Sequence, residues 1–352
     1  MAGFVRNAWY PAAWSRDIKH ELKQQRIVGD LVCLYRTTAG AVVALDDACP
    51  HRLAPLSMGR LAGDAVQCGY HGMTFDAAGT CIRIPGQPMI PARAAVHSYP
   101  VAEKLGLVWI WPGDPARADP SSIYDLPAYA DPHYSFIEGD ALAIGCHYLN
   151  LADNLCDPAH VSFVHLSSLG GPSGEDIPVY TEATGPRSMV TWRWTLDSPP
   201  VPILAKVGRF KGNVDRWQYY HFEAPSTAVV DFGSADAGTG APDGNRRDCL
   251  QMWSCHFLLP VDHHNCIDFW LVAKNFPTDE AGTATMKDQF RMAFNEDKVV
   301  LEAIDRNEIE RPGQRPLRLA LDQGVNRMRR MVDDLLAAEA KPTMQTPTGN
   351  AA

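Results

Sequence analysis

Four residues that bind metals through soft or nitrogen donors stand in two short motifs. Cys49-Pro50-His51 is followed, after sixteen intervening residues, by Cys68-Gly69-Tyr70-His71. Two thiolates and two imidazoles on two loops can hold a structural zinc ion. They can equally hold a 2Fe–2S cluster in which one iron takes both cysteines and the other takes both histidines. The spacing alone leaves both interpretations open.

A second set of donors lies further along the chain, where Asp157-Pro158-Ala159-His160 precedes His165. Two histidines and a carboxylate on one face of an iron ion leave positions open for O₂ and substrate. Five residues on a straight helix rotate by about 140°. We therefore expect a bulge or break between His160 and His165. The alternative is that either histidine is an ordinary core or surface residue.

The third ligand of such a site should be a carboxylate from elsewhere in the chain, and helical periodicity selects Asp297. It lies within a predicted helix at Met286–Glu310, and its neighbours one and two turns away are all apolar: Phe290, Ala293, Phe294, Val300, Leu301 and Ile304. A carboxylate on a buried face needs a partner, and a metal ion is a suitable one. A buried arginine is the alternative partner, and Glu296 is the competing carboxylate.

The elements that carry these residues read as α+β. The first third is rich in β-branched residues, with a strand at Arg26–Tyr35 and a return strand at Ala41–Leu45. A proline-rich linker covers Ala116–Pro132. Further strands are predicted at Met189–Leu196, Trp217–Phe232, Leu250–Leu259 and Cys266–Ala273, and helices around Cys146–His165, at Met286–Glu310 and at Val325–Ala338. We expect one domain over 1–115, a second over 116–340, and a disordered tail over 341–352.

Composition narrows the class of protein. Hydrophobic residues make up 46% of the 352 residues, which excludes global disorder, and the formal charge of −9 argues against a nucleic-acid partner. No apolar run approaches the roughly 20 residues that span a bilayer, and the first residues lack the apolar core of a signal peptide. Nine scattered cysteines favour reduced thiols. We therefore expect a cytoplasmic protein with no membrane partner.

In its wider sequence context the chain resembles the Rieske non-haem iron oxygenases, in the group of the vanillate O-demethylase and dicamba monooxygenase oxygenase components. The resemblance covers nearly the whole chain. It rests on both metal motifs with their flanking residues and on four further segments: Val5–Tyr10, Val108–Gly113, Asp153–Leu155 and Glu296–Lys298. One departure is Cys156, where this family usually has methionine.

The resemblance implies an all-β Rieske 2Fe–2S domain followed by a helix-grip catalytic domain, an antiparallel sheet with long helices, assembled as a homotrimer. It assigns Cys49, His51, Cys68 and His71 to the cluster, and His160, His165 and Asp297 to a mononuclear Fe(II). It also places Asn154 beside the iron and lets Asp157 bridge toward a neighbouring subunit's cluster. A separate reductase with a flavin and a ferredoxin-type cluster would deliver electrons from NADH.

The function expected from this resemblance is that of a terminal oxygenase. It would use O₂ and NADH to O-demethylate a methoxylated, vanillate-like aromatic acid, with release of formaldehyde. Aromatic ring hydroxylation and N-demethylation are the alternatives within the enzyme class. More distant alternatives are a non-enzymatic Rieske electron carrier, which needs only the first third of the chain, and a zinc-stapled binding protein.

The resemblance also implies that two strand residues, Asp231 and His256, contact the substrate. An aspartate such as Asp231 accepts a hydrogen bond from a phenol hydroxyl, and a histidine such as His256 donates one to a carboxylate. The alternative is that both are strand residues that face solvent. The glycine-containing segment 167–177 is expected to act as a lid or as an ordinary surface loop.

Overall fold

The computed structural model describes residues 3–165, 176–208, 210–246 and 248–340. Most of the predicted lid at 167–177 and all of the predicted tail at 341–352 lie outside these ranges. Within them, no helix combines the length and apolar character needed to cross a lipid bilayer.

The first third of the chain forms three small antiparallel sheets. Their strands are β1 Tyr10–Trp14, β2 Lys23–Ile27, β3 Asp30–Arg36, β4 Val42–Asp46, β5 Arg60–Ala62, β6 Ala65–Gln67, β7 Thr74–Phe75, β8 Cys81–Arg83, β9 Val101–Lys104 and β10 Leu107–Ile110. The strand orders are β1-β10-β9, β2-β3-β4 and β5-β6-β7-β8. The single strand predicted at Arg26–Tyr35 is wrong, because Val28 and Gly29 take φ values of 44° and 93° and turn the chain into a hairpin.

The rest of the chain is built on one antiparallel sheet with the order β11-β17-β16-β15-β14-β13-β12. Its strands are β11 Ser135–Ile144, β12 Tyr180–Ala183, β13 Ser188–Ser198, β14 Val214–Glu223, β15 Thr227–Asp236, β16 Leu250–Asp262 and β17 Asn265–Lys274. The single strand predicted at Trp217–Phe232 is two strands, because a turn containing Pro225 separates β14 from β15. The sequence patterns did not predict β11 and β12.

The helices are α1 Pro127–Ala130, α2 Tyr148–Asn154, α3 Val161–Val164, α4 Pro202–Ala205, α5 Glu280–Glu310 and α6 Gln323–Ala340. Helix α5 starts earlier than predicted, because the Asp279 side chain accepts the Gly282 N–H and caps it. It packs on the sheet through Phe290 and Phe294, which contact Trp270 of β17.

The N-terminal strands pack directly on this sheet. Trp109 of β10 meets Phe257 of β16 edge-on, with ring centroids 5.4 Å apart. The backbone N–H groups of Arg6 and Asn7 donate to the Glu339 carboxylate of α6. The first and last elements of the chain therefore join one hydrophobic cluster, whereas the loops that carry the first metal motif have a small core of their own.

Candidate metal centres and active site

The first motif lies on two loops that fold back on themselves. The Cys49 N–H donates to the Ala54 carbonyl at 2.9 Å, and the Cys68 N–H donates to the Met73 carbonyl at 2.8 Å. Both thiols are buried. Burial, with a contribution from neighbouring Cys68, raises the pKa of Cys49 to about 11. The thiols therefore lie together inside the loops.

The two imidazoles of the motif lie on the exposed side of the same loops. The rings of His51 and His71 have centroids 4.6 Å apart. The loops approach so closely that a Cβ on Gly59 would lie 2.2 Å from the Gln67 carbonyl oxygen. Paired thiols inside and paired imidazoles outside fit the donor set of a mixed-ligand 2Fe–2S cluster.

His160, His165 and Asp297 meet at one point. One donor atom from each lies within 4.8 Å of the others. The Asp297 carboxylate oxygens are 3.6 Å from His160 Nε2 and 3.2 Å from His165 Nε2. Ligands about 2.1 Å from one ion stand about 3 Å apart when they are adjacent. The donors therefore fit a single metal ion.

A single helical turn positions the two histidines. Helix α3 begins after His160, which has helical φ and ψ, and ends before His165, which has φ −105° and ψ 36°. The interruption expected between the two histidines thus falls at His165 itself. This departure from helical geometry brings both rings to Asp297, with centroids 5.3 Å apart.

Further hydrogen bonds orient each of the three side chains. His165 Nδ1 donates to Glu296 Oε2 at 2.8 Å, and His160 Nδ1 donates to the Asp157 carbonyl at 2.6 Å. Asn154 Nδ2 donates to Asp297 Oδ1 at 2.9 Å. Partners of this kind fix the tautomer of a ligating histidine and aim its Nε2 at the metal. Glu296, the competing carboxylate, thus contacts the outer nitrogen of His165.

The pKa values of the two histidines differ for a physical reason. Burial lowers the pKa of His160, despite the nearby carboxylates of Asp297 and Asp157. Burial also acts to lower the pKa of His165, but Asp297 and Glu296 outweigh it and raise that pKa above its ordinary value. A metal ion bound here would replace the proton that these carboxylates favour.

The buried stripe of α5 differs from the predicted one in its second half. Asp297 and Leu301 are buried as expected, but Val300 is 42% and Ile304 is 41% exposed, and Asp305 is buried instead. The reason is that this half of α5 faces the loop before α2. There Asp305 accepts the His147 N–H at 3.0 Å.

Asp157 contacts the His160 ring through its backbone and not through its carboxylate. The Asp157 carbonyl accepts the hydrogen bond from His160 Nδ1 at 2.6 Å. The carboxylate instead accepts the N–H groups of Ala159 at 2.8 Å and His160 at 3.3 Å. Within the described chain the Asp157 side chain therefore caps the turn that begins at Pro158.

A largely apolar cavity lies between the triad and the sheet. It is lined by Asn154, Leu155, His160, Val161, His165, Gln218, Tyr220, Val230, Phe232, Ser254, His256, Phe290, Phe294 and Asp297. His256 lies here, as expected of a substrate contact. Its ring is held between Asp268 Oδ2 at 2.8 Å and Ser254 Oγ at 2.9 Å.

Asp231 lies on the opposite face of the sheet, which corrects its predicted contact with substrate. Successive strand residues point to opposite faces, and Val230 and Phe232 line the cavity. The Asp231 carboxylate accepts hydrogen bonds from Trp217 Nε1 at 3.0 Å and Gln251 Nε2 at 2.8 Å. These bonds satisfy it away from the cavity.

Sequence reasoning missed Gln218, Tyr220 and Ser254. Period-2 alternation from His256 would have found Ser254, but the other two required knowing where β14 ends. Cys156, which departs from the family pattern, is buried in the main core, and burial raises the pKa of its thiol well above the ordinary value. Its environment is that of a packing residue.

Comparison with known protein families is consistent with this arrangement. Residues 8–100 match the Rieske [2Fe-2S] domain, and residues 144–338 match the vanillate O-demethylase oxygenase C-terminal domain. The chain belongs to the Rieske oxygenase family. A Rieske domain followed by a catalytic domain of antiparallel sheet and helices confirms the predicted α+β fold, and a separate electron carrier or a zinc-stapled binding protein is excluded.

Several relatives of this Rieske oxygenase match along almost their whole length. It is 38% identical over 341 residues to the toluene-4-sulfonate monooxygenase system iron-sulfur subunit of Comamonas testosteroni, covering 96% of this chain and 98% of that one. It is 33% identical over 344 residues to the vanillate O-demethylase oxygenase subunit of a Pseudomonas species, covering 96% of each. The crystal structure of dicamba monooxygenase with non-haem iron and dicamba matches with a TM-score of 0.80 at 32% identity, covering 96% and 99%. The Rieske oxygenase is therefore an oxidoreductase, as predicted.

Proposed function

We propose that this chain is the terminal oxygenase of a system that O-demethylates a methoxylated, vanillate-like aromatic acid. The overall change consumes the aryl methyl ether, O₂, NADH and one proton, and yields a phenol, formaldehyde, water and NAD⁺. Hydroxylation of the methoxy carbon produces a hemiacetal, which breaks its C–O bond to give the phenol and formaldehyde. The vanillate and dicamba relatives support this assignment.

The observation that carries the proposal is the position of the His160, His165 and Asp297 triad over the cavity. Aromatic and aliphatic side chains make up seven of the fourteen lining residues, as expected for a site that buries a small apolar ring. The triad would hold mononuclear Fe(II), while Cys49, His51, Cys68 and His71 would hold the Rieske cluster. Bound there, the two groups would supply O₂ activation and the electron that the iron lacks.

The polypeptide itself contributes orientation and exclusion of water. Glu296 and the Asp157 carbonyl hold the outer nitrogens of the two histidines, so the Nε2 atoms remain free to bind the ion. Asn154 donates to Asp297, and its own Oδ1 is buried with no hydrogen-bond partner among the described residues. That oxygen is available to accept a hydrogen bond from a water or ligand beside the ion.

A second candidate reaction is oxidation of a methyl group carried directly on the ring of an aromatic sulfonate. It is favoured by the 38% identity to the toluene-4-sulfonate relative. Both candidates oxidise a methyl group of an aromatic acid, but they differ in product. Only the methyl ether releases formaldehyde, whereas the aryl methyl group is converted to a hydroxymethyl group.

One assay distinguishes these reactions. The purified protein is supplied with O₂, NADH and a compatible reductase, and is given methoxybenzoates or toluene-4-sulfonate in parallel. Formaldehyde and phenol formed in equal amounts would support O-demethylation. A hydroxymethyl product from the sulfonate without formaldehyde from any methoxybenzoate would overturn it. Asp297→Ala, which removes a metal donor, serves as the inactive control.

We also infer that the electron crosses between subunits of a homotrimer. His51 and His71 are exposed, and so are the apolar side chains of Leu53, Met58 and Tyr70 from the same part of the chain, so this surface is suited to contact another chain. Asp157 is the proposed acceptor for the neighbouring His71. Its carboxylate already accepts two backbone N–H groups, so the bridge would use remaining lone pairs.

The test of the bridge is Asp157→Asn, which keeps a capping oxygen but removes the charge. The trimer, cluster and iron should remain, while oxidation of the pre-reduced cluster in a single turnover should nearly stop. A cap alone contributes about 1 kcal/mol of stability and has no effect on that rate. If the variant oxidised its cluster at the wild-type rate, the bridge would be rejected and Asp157 would have only its capping role.

The remaining expectations are part of the same proposal. The electron donor would be a separate reductase with a flavin and a ferredoxin-type cluster. The nine free cysteines suit a cytoplasmic location. The boundary between the two domains is proposed near residue 115, after β10 and before the linker helices.

A further inference from the structure

The cavity has a floor and a roof of different character. The floor is the inner face of β14, β15 and β16, contributed by Gln218, Tyr220, Val230, Phe232, Ser254 and His256. The roof carries the triad, with Phe290 and Phe294 beside it. A substrate ring would therefore lie between the apolar middle of the floor and the triad.

One end of the floor offers hydrogen-bond donors. Arg193 Nε donates to Gln218 Oε1 at 2.7 Å, which fixes the amide so that Nε2 faces Tyr220 and donates to its hydroxyl at 3.3 Å. Tyr220 is only 4% exposed, and Gln218 is its sole hydrogen-bond partner in the described part of the chain. The Tyr220 O–H and the second Gln218 N–H are therefore free to donate into the cavity.

The other end offers an acceptor. His256 Nδ1 donates to the buried Asp268 carboxylate at 2.8 Å, so Nε2 accepts the Ser254 O–H at 2.9 Å. Because Ser254 gives its hydrogen to the ring, its oxygen presents lone pairs to the cavity. A group that donates a hydrogen bond, such as a phenol hydroxyl, satisfies this end.

The spacing between the two ends suits one benzene ring. Tyr220 pairs with Val230, and Val230 pairs with Ser254, so the three stand in one row across the sheet. Neighbouring strands are about 4.8 Å apart, which places the first and last Cα atoms of this row about 10 Å apart. Val230 between them contributes no polar atom.

From this arrangement we propose that Gln218 and Tyr220 bind the acid oxygens of the substrate, and that Ser254 accepts the hydrogen of a hydroxyl group on the opposite side of its ring. Arg193, His256 and Asp268 are positioning residues, and His256 is too fully engaged to donate to the acid. The inference rests on the proposed function and adds the orientation of the substrate.

The test measures binding by calorimetry, without O₂, on full-length protein with both metal sites loaded. Three ligands are compared: 4-hydroxy-3-methoxybenzoate, 3-methoxybenzoate without the hydroxyl, and 4-hydroxy-3-methoxytoluene without the acid. The variants are Tyr220→Phe and Ser254→Ala. Their controls are Tyr219→Phe, on the opposite face of β14, and Ser234→Ala, a buried inner-face serine outside the cavity lining.

Tyr220→Phe should weaken binding of both acids about 10-fold, the effect of one hydrogen bond to a charged group, and should leave the toluene ligand unchanged. Ser254→Ala should weaken the two hydroxyl ligands by about 3- to 10-fold and leave 3-methoxybenzoate unchanged. Asp268→Asn changes the group that accepts the hydrogen bond of His256 Nδ1, and it should reproduce the selectivity of Ser254→Ala. Neither control variant should change any of the three dissociation constants.

Equal losses for all ligands, no losses, or the reverse assignment of the two ends would each overturn the inference. Iron and sulfide content measured on every variant separates misfolding from these outcomes. Failure of the proposed reaction is distinguishable, because it would appear as the selective binding pattern without formaldehyde. Formaldehyde release without selective binding would retain the reaction and reject the substrate orientation.

Discussion

The two metal-binding regions of this chain are built in contrasting ways. The cluster residues lie between positions 49 and 71, on adjacent loops with a small core of their own. The iron triad combines two histidines of the turn at 160–165 with Asp297 of α5. His165 also contacts Glu296 of α5, which lies 131 residues further along the chain. The first region depends on local backbone geometry, whereas the second depends on packing of α5 over the sheet. A variant that disrupts one region should therefore leave the metal centre of the other region intact.

The largest expected effect is the selective loss of one metal centre in each of two variants. Asp297→Ala should remove mononuclear iron and lower turnover by more than about 100-fold, because loss of a ligand exceeds the usual effect of an outer partner. The Rieske absorbance and electron paramagnetic signals should stay. Cys68→Ala should remove the Rieske absorbance and electron paramagnetic signals and leave the mononuclear iron bound. If either variant lost both metal centres, the two regions would not be structurally independent of each other.

Gly59→Ala should break the cluster region alone. The added Cβ would lie 2.2 Å from the Gln67 carbonyl oxygen and 2.9 Å from the Leu56 carbonyl oxygen, so the loop backbone must move. Such overpacking costs about 1–3 kcal/mol or more. We expect reduced sulfide content with mononuclear iron retained. Gly313→Ala, where the new methyl meets nothing within 4 Å, is the matched control and should keep full cluster content.

Glu296→Ala should weaken the iron region without emptying it. Removing the acceptor for His165 Nδ1 frees the ring to rotate, and loss of such a partner lowers metal affinity by about 10- to 100-fold. Competition with a chelator measures this affinity. The control is Glu302→Ala on the same helix, a carboxylate that contacts the Gly145 N–H. Similar iron affinities in the two variants would show that Glu296 has no role at the metal.

The smallest effect is a pH dependence confined to the iron region. His147 Nδ1 accepts the Leu149 N–H and caps α2, and burial, with repulsion from Arg329 and His263, lowers its pKa to about 4. The unfolded chain, with a pKa of about 6.5, binds more protons between these values. The stabilisation is therefore complete above about pH 6.5 and is lost as the pH falls toward 4.

Thermal unfolding at pH 7.5 and pH 5 tests this sign. Wild type should lose more of its midpoint temperature on acidification than His147→Asn, because asparagine caps a helix at either pH. An identical drop in both proteins would place the acid sensitivity elsewhere. The cluster absorbance, which depends on the other region, should follow the same course in wild type and variant.

Much of this site could be predicted from the chain alone because its signals are local. The spacing of the two Cys/His motifs identified four metal donors, and the resemblance of their flanking residues favoured a 2Fe–2S cluster over zinc. The helical period around an apolar stripe selected Asp297. The same period was wrong for Val300 and Ile304, since nothing in the sequence showed that α5 would turn toward the loop before α2.

Only the tertiary structure shows which strand residues line the floor of the cavity. Asp231 and Tyr220 are both polar strand residues, and only the strand boundary at Glu223 and the register Tyr219↔Asp231 show which face each one occupies. A shift of one residue exchanges the two faces of a strand, and short-range propensity does not set that register. Residue type and spacing therefore identify the metal donors. Only the folded sheet brings together the partners that orient the hydrogen bonds of the cavity residues Gln218, Tyr220, Ser254 and His256.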